Sequence, residues 1–378
     1  MMDNKHIFII AGESSGDQHA AKYVKEHKKI NKNIYFSAIG QEELKNEGVD
    51  LIFNSELISV VGIIEVISKY RKIKKAIQIA YDHITKKKPD LIILVDYVEF
   101  NLKIAKFAQK NNIPVLFYVA PQVWAWREKR IKKIVSLVNH LAVVFPFEEK
   151  IFKKYMNNVT YVGHPLADNN KLTPSSLDYN KKNISIGIFP GSRESEIKNN
   201  LFCMIDCIRS NKNKSDIKEE IKIFYSNETT KNLLINLLPN DWTPVLCDGK
   251  NIDEIKKCKK AITASGTITL ELALMNIPMV IIYRLSPLTY FIMRNLVKLK
   301  YIGLVNLILG TDLGTKQIVK EFIQPGYADQ VEAMVELQKI DQNKIYRKKI
   351  EDGYSDIRNI LKPGASFKVA KIAEKMLK

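Results

Sequence analysis

Cysteine is scarce in this chain, whose 378 residues include only four: Cys203, Cys207, Cys247 and Cys258. No two of them form a C-x-x-C pair. So few cysteines in a chain of this length exclude the disulfide framework that holds small secreted domains together. We therefore expect reduced, partly buried thiols in a cytosolic protein.

Long apolar runs are also missing. None approaches the roughly 18 residues that a membrane-spanning helix requires. The first apolar stretch, at residues 7–11, is too short for the central segment of a signal peptide and leads directly into a turn. The sequence therefore predicts neither a spanning helix nor a secretion signal.

Motifs of metal and ATP chemistry are absent as well. The six histidines are scattered, and neither H-E-x-x-H nor Asp-x-Asp occurs, so we expect no metal site. The pattern G-x-x-x-x-G-K-[ST] is missing, which excludes P-loop kinases and ATPases. No cofactor is expected. His164, in VGHP at residues 162–165, is predicted to be a hinge or a structural histidine rather than a catalyst.

Acidic residues are outnumbered, since 59 Lys and Arg against 41 Asp and Glu give a formal charge of +18 and a pI near 9.4. The composition, 46% hydrophobic and 26% charged, excludes a disordered or collagen-like chain. On composition alone, the charge suits nucleic acid, an anionic membrane, a phosphorylated substrate or a merely Lys-rich chain. Because no helix-turn-helix, RNP or zinc pattern accompanies the charge, we do not expect a nucleic-acid partner.

The positive charge is uneven, with basic clusters at residues 65–88, 127–133 and 284–300. Apolar residues precede or interleave two of them, as in helices that lie on anionic lipid. For any one cluster, however, a solvated helix face whose other side is buried is the preferred interpretation. The sequence leaves both interpretations open.

Buried strands alternate with helical segments through most of the chain. Continuous apolar runs predict a first series of strands at residues 7–10, 34–39, 91–95, 115–119 and 141–144, and a second series at residues 184–189, 221–225, 243–246, 260–263 and 279–283. Such runs are buried on both faces, which is typical of parallel sheets covered by helices. The predicted fold class is α/β, with two Rossmann-like doubly wound parallel-sheet domains facing a cleft.

The domain boundaries follow from a break in this pattern. Asn, Pro, Ser and Lys dominate residues 166–182, which we interpret as a linker. The first domain is then predicted to cover residues 1–166 and the second residues 183–345. Residues 346–378 are predicted to form C-terminal helices, part of which we expect to join the first domain.

The first predicted strand leads into AGESSGD at residues 11–17. Gly12 and Gly16 allow a tight turn with close backbone approach to a ligand, whereas Ser15 and Asp17 can cap the following helix. An ordinary turn between a strand and a helix has the same composition.

A second candidate follows the predicted strand at residues 91–95, which ends in Asp96. A carboxylate at the tip of a buried strand is partly desolvated and can act as a general base on a hydroxyl group. Alternatively, Asp96 or Asn101 caps the next helix. Trp124, in YVAPQVWAWREKR at residues 118–130, either stacks on a sugar or lines a lipid entrance, or else anchors its loop to the core.

Two turns in the second domain carry phosphate-binding chemistry. In FPGSR, a glycine turn places Gly191, Ser192 and Arg193 at a helix start, where N–H groups, the helix dipole and a guanidinium attract anions. In ASGTITLE, Ser265, Gly266 and Thr267 repeat this arrangement. Glu271 follows one helical turn later, where a nucleotide ribose would lie. Either turn alone fits a helix cap, but the two together favour a nucleotide diphosphate.

Taken together, these motifs resemble lipid-A-disaccharide synthases, a family of inverting glycosyltransferases with the GT-B fold. The resemblance covers nearly the whole chain and is carried by AGESSGD at residues 11–17, VVGIIEV at 60–66, DYVEFN at 96–101, APQVWAWREKR at 120–130, FPFE at 145–148, VGHPLAD at 162–168, FPGSRESEI at 189–197, ASGTITLE at 264–271 and IPMVIIYR at 277–284. It implies transfer of 2,3-diacylglucosamine from its UDP-activated form to 2,3-diacylglucosamine 1-phosphate. The implied products are UDP and the β-1,6-linked disaccharide of lipid A.

The resemblance also implies roles for individual residues in a metal-independent reaction. Because Glu99 stands where many family members have Asp, we place the base that deprotonates the acceptor hydroxyl at Asp96, with Glu99 as the alternative, and expect Arg193 to stabilise the leaving group. The other expected UDP-binding residues are Gly191, Ser192, Ser265, Gly266, Thr267, Glu271 and Asn306. The expected acceptor-side residues are Gly12, Ser15, Gly16, Asp17, Asn101, Gln122 and Trp124.

Departures from the family pattern weaken some of these assignments. The family's S-L-P-N is GLVN here, which keeps Asn306 but loses the proline, and its Gly-Gly near the second strand is Gly40-Gln41. The implied location is the cytoplasmic face of the inner membrane, as a peripheral protein on anionic lipid, and a homodimer stays open. The alternatives are another GT-B enzyme acting on UDP-N-acetylglucosamine, such as an epimerase, or a basic scaffold protein with a decayed site.

Overall fold

A computed structural model describes residues 5–58, 63–120, 128–175, 178–210, 220–286, 290, 300–309 and 316–377. For residues 63–69 and 128–129 it describes only the backbone. The chain divides into two compact units. Unit 1 comprises Met1–Asp168 and Leu361–Lys378, and unit 2 comprises Asn169–Ile360. Within the described ranges, no helix is both long and apolar enough to cross a bilayer.

Unit 1 is built on a seven-stranded sheet. Its strands are β1 (Lys5–Ala11), β2 (Ile34–Gly40), β3 (Asp50–Asn54), β4 (Leu91–Val95), β5 (Val115–Tyr118), β6 (His140–Val143) and β7 (Val159–Tyr161). Its helices up to residue 168 are α1 (Ser14–Ile30), α2 (Glu42–Asn46), α3 (Ile63–Lys87), α4 (Val98–Lys110), α5 (Glu128–Val135) and α6 (Pro146–Phe152). A short 3-10 helix at Ser55–Leu57 follows β3.

The strand order β3-β2-β1-β4-β5-β6-β7 is entirely parallel. The central strands are buried along their length, since Ile7 to Ile10 of β1 and all of β4 are 0% exposed. Continuous apolar runs satisfy this environment, because a parallel sheet with helices on both faces offers no wet side. The chain starts at β1 in the middle of the sheet, so the strand order reverses between β1 and β4.

Unit 2 repeats this plan with six strands in the order β10-β9-β8-β11-β12-β13, again all parallel. The strands are β8 (Ile184–Phe189), β9 (Glu220–Tyr225), β10 (Val245–Asp248), β11 (Cys258–Thr263), β12 (Met279–Tyr283) and β13 (Glu321–Ile323). The described helices are α7 (Glu194–Arg209), α8 (Glu228–Leu237), α9 (Ile252–Ile255), α10 (Thr267–Leu274), α11 (Leu304–Leu307), α12 (Tyr327–Gln342) and α13 (Lys344–Ile360). The predicted α/β class with two parallel sheets is confirmed.

The chain ends in α14 (Ala365–Met376), which belongs to unit 1. Glu374 on this helix accepts hydrogen bonds from His27 Nε2 at 2.8 Å and from Asn31 at 3.0 Å, both at the C-terminal end of α1. The segment before α14 passes close to Gly163, whose φ is +98°. A Cβ at Gly163 would lie 2.2 Å from the carbonyl oxygen of Lys362, so this crossing requires glycine.

The four cysteines are free thiols, and three of them are buried. Burial raises the pKa of the Cys207 and Cys258 thiols to about 12. Such thiols stay protonated near neutral pH and behave as small apolar side chains. The prediction of reduced, partly buried cysteines agrees with this arrangement.

Every histidine of the chain lies in unit 1, and burial lowers the pKa of each one. The pKa falls to about 4 for His6 and His19 and to about 3 for His164. His6 and His83 share the hydroxyl of Ser37, which lies 2.8 Å from each Nε2 atom. The hydroxyl donates one of these bonds and accepts the other, an arrangement that suits two neutral imidazoles.

We expect acid to weaken unit 1 more than unit 2. Because these pKa values are lower in the folded chain than the usual 6.5, the unfolded chain binds the protons first as pH falls. Unit 1 should lose stability from about pH 6.5 downward, with its unfolding midpoint falling by roughly 5 °C or more between pH 7.5 and 5. Hydrogen–deuterium exchange of the full chain across this range would localise the loss. Equal weakening of both units would contradict this expectation. So would a His6→Gln variant whose unit 1 loses as much stability between pH 7.5 and 5 as that of the wild type.

Candidate functional site

In unit 2 the strand order reverses between β8 and β11, and a cavity of about 480 Å³ lies there. The two strands are held together at their carboxyl ends, where the Ala264 N–H donates to the carbonyl of Phe189 at 2.8 Å. Seven of the eight predicted UDP-binding residues line this one cavity: Gly191, Ser192, Arg193, Ser265, Gly266, Thr267 and Glu271. The structure thus brings together two motifs more than 70 residues apart in sequence.

The turn after β8 is shaped by Gly191 and Glu196. Gly191 has a φ of +126°, and a Cβ there would lie 2.6 Å from Cβ of Glu196, so the turn requires glycine. Glu196, in the first turn of α7, accepts a hydrogen bond from the Ser192 N–H at 3.1 Å. Its other oxygen lies 3.5 Å from Nη1 of Arg193. A carboxylate of the protein therefore engages the donors predicted to hold phosphate.

Asn200, fully buried on α7, connects this turn to the end of β12. Its amide nitrogen donates to the Pro190 carbonyl at 3.2 Å, and its oxygen accepts the Arg284 N–H at 2.7 Å. The Arg284 guanidinium donates to Sγ of Cys203 at 3.4 Å. Asn200 therefore joins the end of β12 to the turn after β8.

The second turn, after β11, leaves room for a ligand at Gly266. Gly266 precedes α10 with a φ of +153°, and apart from its two chain neighbours no described residue has an atom within 4 Å of the Cβ position. The Ser265 hydroxyl donates to the Ile302 carbonyl at 3.0 Å, which fixes the turn from behind. Glu271 is half-buried at the cavity wall, and burial raises the pKa of its carboxyl group.

Aromatic side chains form the other end of the cavity. Phe189 and Phe224 stack with their ring centroids 4.7 Å apart, and Tyr225 and Tyr283 line the wall. Lys250 adds a cation from the loop after β10. The sequence analysis missed these residues and Glu196. Their signal was available, since the last residues of β8, β9 and β12 and the loop after β10 share the carboxyl edge with the two predicted turns, and Glu196 has the N3 spacing of a capping box.

Asn306, the eighth predicted UDP-binding residue, lies outside this cavity lining and is 0% exposed. Its amide nitrogen donates to Glu321 at 2.6 Å and to the carbonyl of Val319, while its oxygen accepts N–H groups of Ile318 and Val319. Glu321 also accepts the N–H groups of Ile302 and Gly303. In this structure Asn306 therefore holds the segment behind Ser265 in place.

In unit 1, the turn after β1 packs against the end of β4. The ring of Tyr97 covers Gly12, where a Cβ would lie 2.1 Å from the ring, and Gly16 runs beside Val95. Ser15 is exposed at the start of α1. Asp17, by contrast, is buried, with 1% exposure.

Asp17 caps α2, because its carboxylate accepts the N–H groups of Gln41 at 2.6 Å, Glu43 at 3.0 Å and Leu44 at 3.4 Å. Burial raises the pKa of Asp17, while the three N–H donors act in the opposite direction. Gly40 permits this approach, since a Cβ there would lie 2.8 Å from the carboxylate. The predicted capping role of Asp17 is thus directed at α2 rather than at its own helix.

Asp96 and Tyr97, which follow β4, both have left-handed backbone conformations, with φ values of +50° and +42°. Two consecutive non-glycine residues of this kind store strain, which is typical of functional sites. The amide of Asn101 supports them by donating to the Asp96 carbonyl at 2.6 Å. Tyr97 donates its hydroxyl to the carbonyl of Ile58 at 2.8 Å, and burial beside Glu13 raises its pKa to about 12.

The two candidate bases differ in their surroundings. Asp96 is half-buried at the carboxyl edge of the sheet, whereas the Glu99 side chain is 66% exposed and forms an ion pair with Arg130. Asn101 is buried, and its side-chain oxygen has no hydrogen-bond partner among the described residues. Gln122 and Trp124 lie outside the described residues. Among the residues that the structure does describe, no group of three His, Cys, Asp or Glu could hold a metal ion.

Two parallel sheets of this order give the fold that this chain shares with solved GT-B glycosyltransferases and epimerases. The fold is similar to S. aureus MnaA in a structure with UDP, with a TM-score of 0.64 at 14% identity, covering 99% of this chain and 97% of that one. It is also similar to the glycosyltransferase of kitacinnamycin, with a TM-score of 0.61 at 12% identity and 99% coverage of both chains.

The family follows from sequence similarity over the full length. The family profile described as lipid-A-disaccharide synthetase matches residues 7–376. The chain is 36% identical over 386 aligned positions to a lipid-A-disaccharide synthase of Geobacter metallireducens, covering 99% of this chain and 98% of that protein. This chain therefore belongs to the lipid-A-disaccharide synthetase family, and the predicted resemblance is confirmed.

The cap on α2 gives a test of Asp17. We expect Asp17→Ala to lower the free energy of unfolding by about 1–3 kcal/mol, because three buried N–H groups lose their acceptor. Urea denaturation would measure the loss, with Ser15→Ala as the control at the exposed start of α1. An unchanged stability in Asp17→Ala would contradict the capping role and would favour the predicted acceptor-side role.

Proposed function

We propose that this chain transfers a 2,3-diacylglucosamine unit from its UDP-activated form to 2,3-diacylglucosamine 1-phosphate. The products are UDP and a β-1,6-linked disaccharide 1-phosphate. Membership of the lipid-A-disaccharide synthetase family supports this reaction. The observation that carries the proposal is the cavity of unit 2, which gathers both predicted phosphate-binding turns and Glu271 in about 480 Å³, a volume suited to a small ligand such as a nucleotide.

The donor nucleotide is assigned to unit 2. Its diphosphate takes the N–H groups around Ser192, the positive end of α7 and the Arg193 guanidinium, whose side chain is 46% exposed. The open space beside Gly266 allows the second turn to approach the same diphosphate. Glu271 accepts hydrogen bonds from the ribose hydroxyls.

Arg193 also has a chemical task in this proposal. As the bond between the sugar and UDP breaks, negative charge develops on the β-phosphate, and a guanidinium with oriented N–H groups stabilises that charge. No metal ion is needed for this step in the proposal, so transfer should continue in the presence of a chelator.

The acceptor is assigned to unit 1, with Asp96 as the general base. Its half-buried carboxylate removes the proton from the 6-hydroxyl group, and the oxygen attacks the anomeric carbon with inversion through an oxocarbenium-like state. The exposure of Glu99 and its pairing with Arg130 favour Asp96 over Glu99. Tyr97 and Asn101 hold the strand end that carries Asp96.

We expect Asp96→Asn to reduce turnover by at least about 100-fold while UDP affinity stays within twofold of the wild type, because the base contributes to chemistry and not to nucleotide binding. Incubation with the two diacylglucosamine substrates in EDTA, followed by detection of UDP and disaccharide 1-phosphate, measures the loss. Glu99→Gln is the matched control and should retain most activity. If Glu99→Gln lost turnover and Asp96→Asn retained it, the base would be Glu99.

The same assay separates the proposal from its closest alternative. UDP-N-acetylglucosamine without acyl chains should give neither UDP nor an epimerised sugar nucleotide. Epimerisation of that substrate, together with no transfer from the acylated donor, would favour an epimerase on the same fold.

We also propose that α3 of unit 1 contacts an anionic membrane surface, where acylated substrates reside. Its exposed residues include Tyr70, Arg71, Lys72, Lys74 and Lys75. The buried side of the helix carries Ala76, Ala80 and Ile84. Each cation near anionic lipid contributes about 1 kcal/mol. The other predicted basic clusters lie partly or mostly outside the described residues.

We expect Lys72→Glu combined with Lys75→Glu to weaken binding to vesicles containing phosphatidylglycerol by tenfold or more, because two attractions become repulsions. Cosedimentation with vesicles measures this change. The matched control is Lys344→Glu with Lys349→Glu, two exposed lysines on α13 of unit 2. If the α3 variant bound the vesicles as well as the wild type, α3 would be a solvated helix face and not a membrane contact.

A further inference from the structure

The cavity of unit 2 has an unusual charge for a diphosphate site. Its lining includes two cations, Arg193 and Lys250, and two carboxylates, Glu196 and Glu271. Sites for phosphate groups usually carry an excess of positive charge, because phosphate oxygens must be neutralised. Glu271 has a role with the ribose in the proposed function. Glu196 has no such role, and its position calls for a physical explanation.

Glu196 is bound where a phosphate oxygen is expected. One carboxylate oxygen accepts the Ser192 N–H at 3.1 Å, and the other lies 3.5 Å from the Arg193 guanidinium. The Glu196 side chain is 16% exposed, so little water screens it from these partners. Tyr283 stands beside both charges: burial raises the pKa of its hydroxyl, Glu196 raises it further and Arg193 lowers it.

Helix capping explains only part of this arrangement. A glutamate at the third position of a helix often reaches back to an N–H group before the helix, which satisfies a donor at the helix start. A neutral glutamine oxygen accepts that bond as well. Capping therefore accounts for the contact with Ser192, but it does not require a negative charge beside Arg193.

We propose that Glu196 is an internal competitor of the nucleotide diphosphate, because its carboxylate takes the donors of the turn after β8 that a phosphate group would use. An incoming diphosphate displaces it from Arg193, and the carboxylate returns as the product UDP leaves. Glu196 thus lowers the affinity for UDP and speeds product release. This inference rests on the proposed function, because it assigns a task to the same site.

Replacement by glutamine tests this role, since Glu196→Gln keeps an acceptor for the Ser192 N–H and removes only the charge. The variant should bind UDP about tenfold more tightly by isothermal titration calorimetry. In the transferase assay, the inhibition constant of UDP and the KM of the donor should fall, and kcat should fall with them as release slows. A purely structural role would leave these constants unchanged and would lower only the thermal stability.

Glu194→Gln is the matched control. Glu194 lies in the same first turn of α7 but is 62% exposed and pairs with Lys198 at 2.6 Å. Glu194→Gln removes the same formal charge from the same helix start, and the affinity of this variant for UDP should differ from that of the wild type by less than twofold.

The outcomes separate this inference from the proposed function. If wild-type protein binds UDP and Glu196→Gln binds it no more tightly, the competitor role is wrong and the nucleotide site stands. Weaker binding by the variant would make Glu196 a support for Arg193 instead. If neither protein binds UDP, the proposed function fails and the competitor role fails with it.

Discussion

The order of strands in the two sheets is the constraint on which the rest of the structure depends. In unit 2 the chain enters at β8, adds β9 and β10 on one side, and then returns to add β11 on the other. The connections that leave β8 and β11 therefore diverge to opposite faces, and the space between them opens at the carboxyl edge. Two helix starts, those of α7 and α10, reach this space. Without the reversal, Arg193 and Thr267 would have no common cavity.

Electrostatics then decides what this space holds. Helix starts and a guanidinium attract anions, and Glu196 supplies one from within the chain. A transferase that releases UDP after each turnover gains from a site that attracts the diphosphate without holding it too firmly. In unit 1, the candidate site is marked by backbone strain and not by a cluster of charges. The left-handed pair Asp96 and Tyr97 is held by Asn101 and by the contact with Ile58.

Much of the fold was predictable from the sequence because buried parallel strands leave long apolar runs. Ten strands were predicted, and each corresponds to an observed strand within a few residues. Strands β3, β7 and β13 were missed. The three-residue strands β7 and β13 are too short to show a periodic pattern, and β3 is only partly buried and has no long apolar run. The predicted strand at residues 243–246 begins later, at Val245, because Pro244 has no N–H to donate.

The site was predictable where glycine and charge mark a turn, and not where packing decides. Gly191 and Gly266 identified the two turns of the cavity. Asn306 looked like a ligand contact, but its four hydrogen bonds to Ile318, Val319 and Glu321 depend on a loop that no local pattern describes. Asp17 likewise caps a helix 25 residues away. Such long-range contacts become visible only in three dimensions.

The central claim is that unit 2 holds the UDP part of the donor at the turns after β8 and β11. Hydrogen–deuterium exchange of the full chain with and without UDP tests this claim most directly. Slower exchange of the amides at residues 191–196 and 265–269, with no change at residues 12–17 of unit 1, is the predicted result. Protection confined to residues 12–17, or none at either turn of unit 2 at saturating UDP, would contradict it.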